Sequence, residues 1–308
     1  METESIFSKC MLLVLSIHAA GDARKITKDK LSIVKTEGQT DPEEKSWNAA
    51  KKLFGSSAEY KAIIQLDNQI RAQLEKLELP AQFQRGTFAI PLKSVPEVQK
   101  MVQAYLVERA KLVEVFLDKY LTIIGEQQVV LGPLFDITDY PEPKEIKRRF
   151  YVRHKWLALG VPEQLKNVSE ELYNDQVKAQ QEELANVFEE VRDGLRGALK
   201  GLVDHLLNRL SRKNEKGEVL RLRSSAVDNI VEFLDMLPNK NVTGDVQIQL
   251  LAEKARAIVT AVDVETIKKD GLRRSIVEKR LGEISTELDK LVEAKPIRKM
   301  GGFGEVSP

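Results

Sequence analysis

The sequence predicts a mainly α-helical protein, with a small α+β N-terminal module of two short strands followed by a C-terminal bundle built around a long helix. Apolar residues recur at helical spacing over long stretches. Aromatic residues make up only 6% of the 308 residues, so that aliphatic side chains are expected to fill most of the core. Proline, which ends helices, is almost absent from the second half, where only Pro238 lies between Pro162 and Pro296.

Two segments of the module alternate like strands. In Leu13–Ala19 the residues Leu15, Ile17 and Ala19 share one face, and in Phe150–Leu159 the basic residues alternate with Val152, His154 and Trp156. We expect these two strands to pair. The apolar run that contains the first strand also resembles a secretory signal, but Glu2 and Glu4 stand where such a signal has positive charge. A buried strand of a cytoplasmic protein is therefore the favoured interpretation.

Helices are expected to fill the rest of the module. Asp41-Pro42 predicts the start of a short helix that ends at Gly55, and Ser57 the start of another that ends before Pro80. Arg85–Pro91 is interpreted as a compact connector, after which a long helix is expected to run from Ser94 to Gly125. The apolar stripe of that long helix consists of Val98, Val102, Tyr105, Leu112, Phe116, Tyr120 and Ile123.

The second half predicts one long helix over 169–212 and shorter helices over 225–237, 245–262 and 264–292, with a polar turn at 214–217. The long helix carries a packing seam spaced by three, four or seven residues, which consists of Leu184, Phe188, Val191, Leu195, Leu202 and Leu206. The domains predicted from this pattern are a mixed module over 1–162, a helical bundle over 163–294 and a flexible tail over 295–308.

Three glycines lie inside the long helix, and each costs about 1 kcal/mol relative to alanine. Gly197 and Gly201 fall on one face, where another helix has room to approach closely. A kink or hinge around Gly194–Gly201 is the alternative, and the sequence favours neither.

No residues predict catalysis or a cofactor. His18, His154 and His205 form no metal-binding pattern, so no metal site is predicted. The single cysteine, Cys10, excludes an internal disulfide and lies in or beside an apolar strand, where burial makes a thiol inert. The glycines of the tail lack the strand, helix and Lys-Ser/Thr pair of a phosphate-binding loop.

Two basic clusters stand out in a chain whose net charge is only +1. The first carries six cations against two acids over 142–155, and aromatic residues lie among the cations, as a single-stranded nucleic-acid surface requires. The second spans 268–280. A charged edge strand and an ordinary helix surface are the blander interpretations, and they are favoured. The candidate nucleic-acid-binding residues are Lys144, Lys147, Arg148, Arg149, Arg153, Lys155 and Trp156.

Acidic residues predict a different surface. Paired glutamates along the long helix are expected to solvate the face opposite the seam, and 163–193 carries nine acids against three bases. Segregated charge of this kind orients protein partners. In the tail, Arg298, Lys299 and Phe303 are candidate partner-binding residues that a ring-shaped partner would grip.

The segment LSIHAAGDARKITKDKL resembles the opening of a family of uncharacterised phage and mobile-element proteins. Gly21, Arg24 and Lys25 match its glycine and paired basic residues, whereas Ala19 and Ala20 occupy the region of its tryptophan. The connector RGTFAIP is similar to its aromatic-glycine-aromatic-small-Val-Pro element, and the order of the later elements also fits. Genes of the family often lie near those of MoxR-type AAA+ ATPases and von Willebrand A-type proteins, which implies an accessory role in a chaperone-like assembly.

These observations favour a non-enzymatic helical scaffold or adaptor, with a protein partner that the resemblance suggests is a MoxR-type AAA+ ATPase, and with no membrane association. The alternative is a nucleic-acid-binding protein of phage replication or recombination that uses the first basic cluster. For the third possibility, an enzyme with an unfamiliar site, the sequence offers no candidate catalytic residues.

Overall fold

The computed structural model describes residues 9–26, 49–55, 57–81, 83–158, 160–211, 224–260 and 271–292. The protein is 71% helical with a small sheet near the N-terminus, which confirms the predicted fold class. The strands are β1 Cys10–His18, β2 Ala23–Lys25, β3 Ala50–Lys52, β4 Thr87–Pro91 and β5 Tyr151–Leu157. One sheet has the order β4-β1-β5, and β2 and β3 pair as a separate antiparallel ribbon. The predicted pairing of the first and last strands is thus confirmed.

Nine α-helices lie within the described residues. Their bounds are α1 Ala58–Leu77, α2 Val95–Asp118, α3 Tyr120–Leu131, α4 Pro143–Arg148, α5 Leu165–Val168, α6 Glu170–Ser211, α7 Ser224–Lys240, α8 Val246–Thr260 and α9 Gly271–Leu291. The predicted long helix is α6, a single element of 42 residues. The first part of the helix predicted from Asp41, the turn at 214–217, the residues before Gly271 in the last predicted helix and the tail at 295–308 lie outside the described residues. The end of the helix predicted from Asp41 is wrong, because Ala50–Lys52 forms β3 and pairs antiparallel with β2.

Three further element predictions are wrong. Arg85–Pro91 is not a connector, because Thr87–Pro91 forms β4 and pairs antiparallel with β1, with Leu12 opposite Ala89. The helix from Ser94 does not run unbroken to Gly125, because it ends at Asp118 and α3 begins at Tyr120. Pro238 does not end its helix, since α7 continues to Lys240 around it. In each case packing and strand pairing outweigh the local signal of a single residue type.

The chain divides into two compact units that are discontinuous in sequence. The bundle unit comprises the described residues of Met1–Val14, Ala72–Val98 and Lys155–Pro308, and the aromatic unit comprises those of Leu15–Arg71 and Gln99–His154. The sequence-based division after Pro162 assumed continuous domains and stays a prediction.

The core of the bundle unit is aliphatic, as predicted. It combines the seam of α6 with the inner faces of α7, α8 and α9, and it includes Cys10 and Leu12 of β1. Of the predicted seam, Val191, Leu195, Leu202 and Leu206 are buried and Phe188 is partly buried, while the side chain of Leu184 lies outside the described set.

The core of the aromatic unit is not what the low aromatic content predicted. Phe54 lies at its centre, with its ring centroid 5.4 Å from that of Phe116 and 5.1 Å from that of Tyr60. Tyr120 and Tyr140 complete the cluster around it. Several of the few aromatic residues are therefore concentrated in one place, where each ring buries a large apolar area.

A buried ion pair fixes the helices of the aromatic unit. The Arg109 guanidinium donates two hydrogen bonds to the Asp67 carboxylate, with Nε 2.7 Å from Oδ1 and Nη2 3.1 Å from Oδ2. Tyr105 donates its hydroxyl to the same carboxylate, and Arg109 also donates to the backbone carbonyl of His18. Burial and the bond to Asp67 raise the pKa of Tyr105, so that it stays a neutral donor. All the polar groups of this network are satisfied, as a buried network requires.

Two arginines join α6 and α9 in an antiparallel pair. Arg274, near the start of α9, donates to the carbonyls of Arg209 and Leu210 at the end of α6. Arg196 of α6 donates in turn to the carbonyl of Leu291 at the end of α9. Each cation thus satisfies the exposed carbonyls at the negative end of the other helix. The two contacts fix the register, so α9 runs beside α6 only from Arg196 onward.

Close approach in the long helix occurs at Gly194, and the close approach considered for Gly197 and Gly201 is not found at Gly201. A Cβ atom on Gly194 would lie 2.7 Å from the Cβ of Pro80, whereas one on Gly201 would meet nothing within 4 Å. Gly194 is therefore the glycine that allows a neighbouring chain segment to contact α6.

Candidate functional site

The N-terminal part of α6 forms an arm, defined as residues 170–187. The arm begins at Ser169, whose hydroxyl accepts a hydrogen bond from the N–H of Leu172, and acids occupy the first turn, where the helix dipole favours them. No side chain of the arm whose burial the structure describes is buried, whereas Val191, Leu195, Leu199 and Leu202 on the next turns are. Since α9 ends beside Arg196, it does not extend along the arm.

The arm continues the seam of the bundle, but α9, which covers the seam further along α6, ends beside Arg196. Tyr173, Val177, Gln180 and Val187 follow the alternating spacing of four and three residues that leads to buried Val191, and the side chains of these four are half-buried. Leu172 beside them is 41% exposed. Val187 still packs against the bundle core, and the Lys166 ammonium lies 4.6 Å from the centre of the Tyr173 ring. The amphipathic pattern that packs the bundle therefore continues for about four turns beyond the end of α9.

The charge of the arm is strongly negative. It carries five acids against one base, Lys178, a balance of −4. The acids are exposed, as predicted for the face opposite the seam, and the described part of the chain provides no ion pair to any of them. The acids of the arm are Glu170, Glu171, Asp175, Glu182 and Glu183.

Three apolar side chains of α3 in the aromatic unit are exposed. Leu121, Val129 and Val130 are 71%, 84% and 66% exposed. At about 100° per residue, Leu121 and Val130 lie on opposite sides of the helix, so the three do not form one patch, and apolar side chains exposed singly are ordinary on a protein surface.

The first basic cluster falls on α4 and β5. Lys147 pairs with Glu114 and Arg149 with Glu145, whereas Lys144 and Arg148 are exposed and have no ion pair among the described residues. The alternation predicted for β5 is confirmed, because Arg153 and Lys155 are exposed and Trp156 is half-buried. Lys155 and Trp156 belong by contact to the bundle unit and the other five candidates to the aromatic unit.

The structure adds His18 to this cluster. The rings of His18 and Tyr151 stack with their centroids 4.2 Å apart and their planes 17° from parallel, and the Arg153 guanidinium carbon lies 5.1 Å from the centre of the Tyr151 ring. Both rings are exposed. The predicted pairing of the first strand with the last was the signal that would have brought His18 to Tyr151, but sequence reasoning placed this histidine only on a strand face.

The second basic cluster is not a continuous surface. Arg274 is buried and caps α6, so its assignment to an exposed basic patch is wrong. Burial lowers the pKa of this guanidinium, but it keeps carbonyl partners. Lys279 and Arg280 are exposed, while Lys268 and Lys269 lie outside the described residues. The cations of this cluster that the structure describes therefore divide between a structural role and the solvent.

The remaining candidates offer no reactive group. Cys10 is buried, and desolvation raises its pKa to about 11, so the thiol stays protonated. In the described ranges no three His, Cys, Asp or Glu residues converge on a position that would hold a metal ion. None of the helices searched is both long and apolar enough to cross a membrane. The tail candidates Arg298, Lys299 and Phe303 lie outside the described residues.

No family model, curated protein or solved structure matches the chain. The chemistry of its surfaces is therefore the basis for a function.

Proposed function

We propose that the chain is a non-enzymatic helical adaptor of a phage or mobile element that acts in the cytoplasm and serves a MoxR-type AAA+ ATPase assembly. The observation that carries this proposal is the arm, an amphipathic and acidic helix whose seam continues past the end of α9. The ATPase is proposed as the partner because the chain resembles mobile-element proteins whose genes often lie near those of MoxR-type AAA+ ATPases.

Co-expression with the proteins encoded by neighbouring genes, and first with any AAA+ ATPase or von Willebrand A-type protein among them, tests the adaptor function. We expect the full chain to co-elute with one of them in size-exclusion chromatography. Absence of a complex with every neighbour would contradict the proposal. A chain that ends at residue 295 tests the tail separately, since equal complexes from both forms would show that Arg298, Lys299 and Phe303 are not needed.

A nucleic-acid-binding function remains the second candidate, and the stack of His18 on Tyr151 is the observation that favours it. Exposed aromatic rings beside exposed cations are the groups that bind bases and phosphates of a single strand. The pairing of Lys147 and Arg149 with glutamates weakens this candidate, because two of the predicted cations are already neutralised.

Variants at Arg148 and Tyr151 test this second candidate, because among the described residues neither has an acidic partner whose loss would also change the measured binding. We expect Arg148→Glu and Tyr151→Ala each to weaken binding to single-stranded DNA, and the wild-type affinity to fall steeply with salt. Lys61→Glu, which changes another exposed lysine of the same unit, is the control. No gel shift of the wild type at low salt would eliminate this function.

A further inference from the structure

On the basis of the adaptor function proposed above, we infer that the arm binds a basic amphipathic helix of the partner protein. The spacing of the seam residues on the arm defines the kind of helix that would bind there. The residues that continue the seam, Tyr173, Val177 and Gln180, repeat with the spacing that packs α6 against helices further along the chain, and Val187 connects them to the bundle core. A seam with this period fits another helix with apolar residues at intervals of three and four.

Charge then selects among the helices that would fit. In the heptad defined by the seam, Glu183 flanks the apolar stripe, and Asp175 and Glu182 lie on the outer face. A second copy of the arm would bring five acids and one base against five acids and one base, so the two would repel. A helix whose flanking positions carry Lys or Arg is attracted by Glu183, which has no ion pair among the described residues, while the acids on the outer face contribute only at longer range.

The test uses two synthetic peptides of the arm's length and identical composition, binding to the full chain. One peptide places Leu at the seam positions and Lys at the flanking positions, and the other has the same residues in scrambled order. We expect the ordered peptide to bind, its affinity to fall as salt screens the acids, and the scrambled peptide to bind at least roughly tenfold more weakly. Equal binding of the two peptides would contradict the inference.

Matched variants locate the binding site. Tyr173→Asp with Val177→Asp places two charges on the seam, and Ala179→Asp with Asn186→Asp adds the same charge on exposed positions off the seam. We expect the seam variant to lose roughly tenfold or more in affinity, because a buried charge without a partner is costly, and the control variant to bind at least as well as the wild type. Equal affinities of the two variants would show that the peptide does not bind the seam.

Other occupants give distinct results, and each overturns the inference. If the chain sediments as a dimer that only the seam variant dissociates, a second copy covers the arm. If a chain that ends at Val292 binds the ordered peptide roughly tenfold more tightly than the full chain, the chain's own C-terminal residues cover it. A seam variant that still co-elutes with the ATPase, while no peptide binds, would leave the adaptor function intact and remove only this partner class.

Discussion

Lys240, at the end of α7, is buried to 1% exposure in a part of the bundle unit where its charge is costly. Burial lowers its pKa from 10.5 to about 8, although Glu78 and Glu232 favour the charged form. The lowered pKa corresponds to a free-energy cost of roughly 3 kcal/mol for the charged form, since one pKa unit is about 1.4 kcal/mol. At neutral pH the folded protein therefore holds a cation that its environment resists.

We predict that Lys240→Met stabilises the protein at pH 7, because Met fills similar volume without a charge to desolvate. The gain should shrink as pH rises from 8 to 10.5, since in that window the folded protein has released the proton of Lys240 while the unfolded chain still holds it. Urea unfolding of both proteins across this range measures the difference. A gain that is constant with pH, or a loss of stability at pH 7, would contradict the account.

Arg109 and Asp67 are a buried pair in which each charge depends on the other, as both side chains are 4% exposed. We predict that Arg109→Met costs about 3–5 kcal/mol, because it leaves the Asp67 carboxylate buried without its cation. Asp67→Leu combined with Arg109→Met should recover a large part of this loss, because no charge is then left buried. Thermal unfolding of the single and double variants measures it, and equal losses in both would mean that the contacts of Arg109, and not its charge, are what matters.

At the scale of elements, substitutions at two glycines of α6 distinguish the effect of packing from the effect of helix propensity. We predict that Gly201→Ala stabilises the protein by up to about 1 kcal/mol, since its Cβ meets open space and alanine favours the helix. Gly194→Ala should destabilise it, because the Cβ would lie 2.7 Å from a carbon of the Pro80 ring. Denaturant unfolding of the two variants provides the comparison, with each serving as the control of the other. The same sign of change in both would mean that the contact with Pro80 does not constrain α6.

Periodicity predicted the elements whose own residues determine them. The seam of α6 is read from its spacing, and the alternation of Arg153 and Lys155 with Trp156 predicts β5 without knowledge of its neighbours. β4 was missed because Thr87–Pro91 is short, and its strand conformation depends on pairing with β1, which is distant in sequence. The capping role of Arg274 depends in the same way on the end of α6, 64 residues away, so no local pattern indicates it.

The candidate sites follow the same division. The acidic character and the apolar spacing of the arm are visible in the sequence, but its exposure is not, because the same stripe is buried from Val191 onward. The two halves of α6 differ because α9 ends between them, and the hydrogen bond from Arg196 to the Leu291 carbonyl marks where α9 ends along α6. His18 joined the basic cluster only through its stack on Tyr151, a contact between strands that are far apart in the chain.

At the scale of the whole molecule, a net charge of +1 conceals segregation. The arm has a balance of −4, while α4 and β5 expose cations. Fields of opposite sign on different elements orient partners as they approach and contribute more to the rate of association than to affinity. An adaptor benefits from this arrangement, because each surface attracts a partner of a different charge.

Amide hydrogen exchange of residues 170–187, in the free chain and in its complex with the co-eluting ATPase, tests the docking role of the arm most directly. In the free chain we predict faster exchange in the arm than in 191–210, since the arm lacks the packing that protects the buried turns. In the complex, new protection should concentrate in the arm, and the seam variant Tyr173→Asp with Val177→Asp should lose it. A complex that leaves the exchange of the arm unchanged would contradict the account.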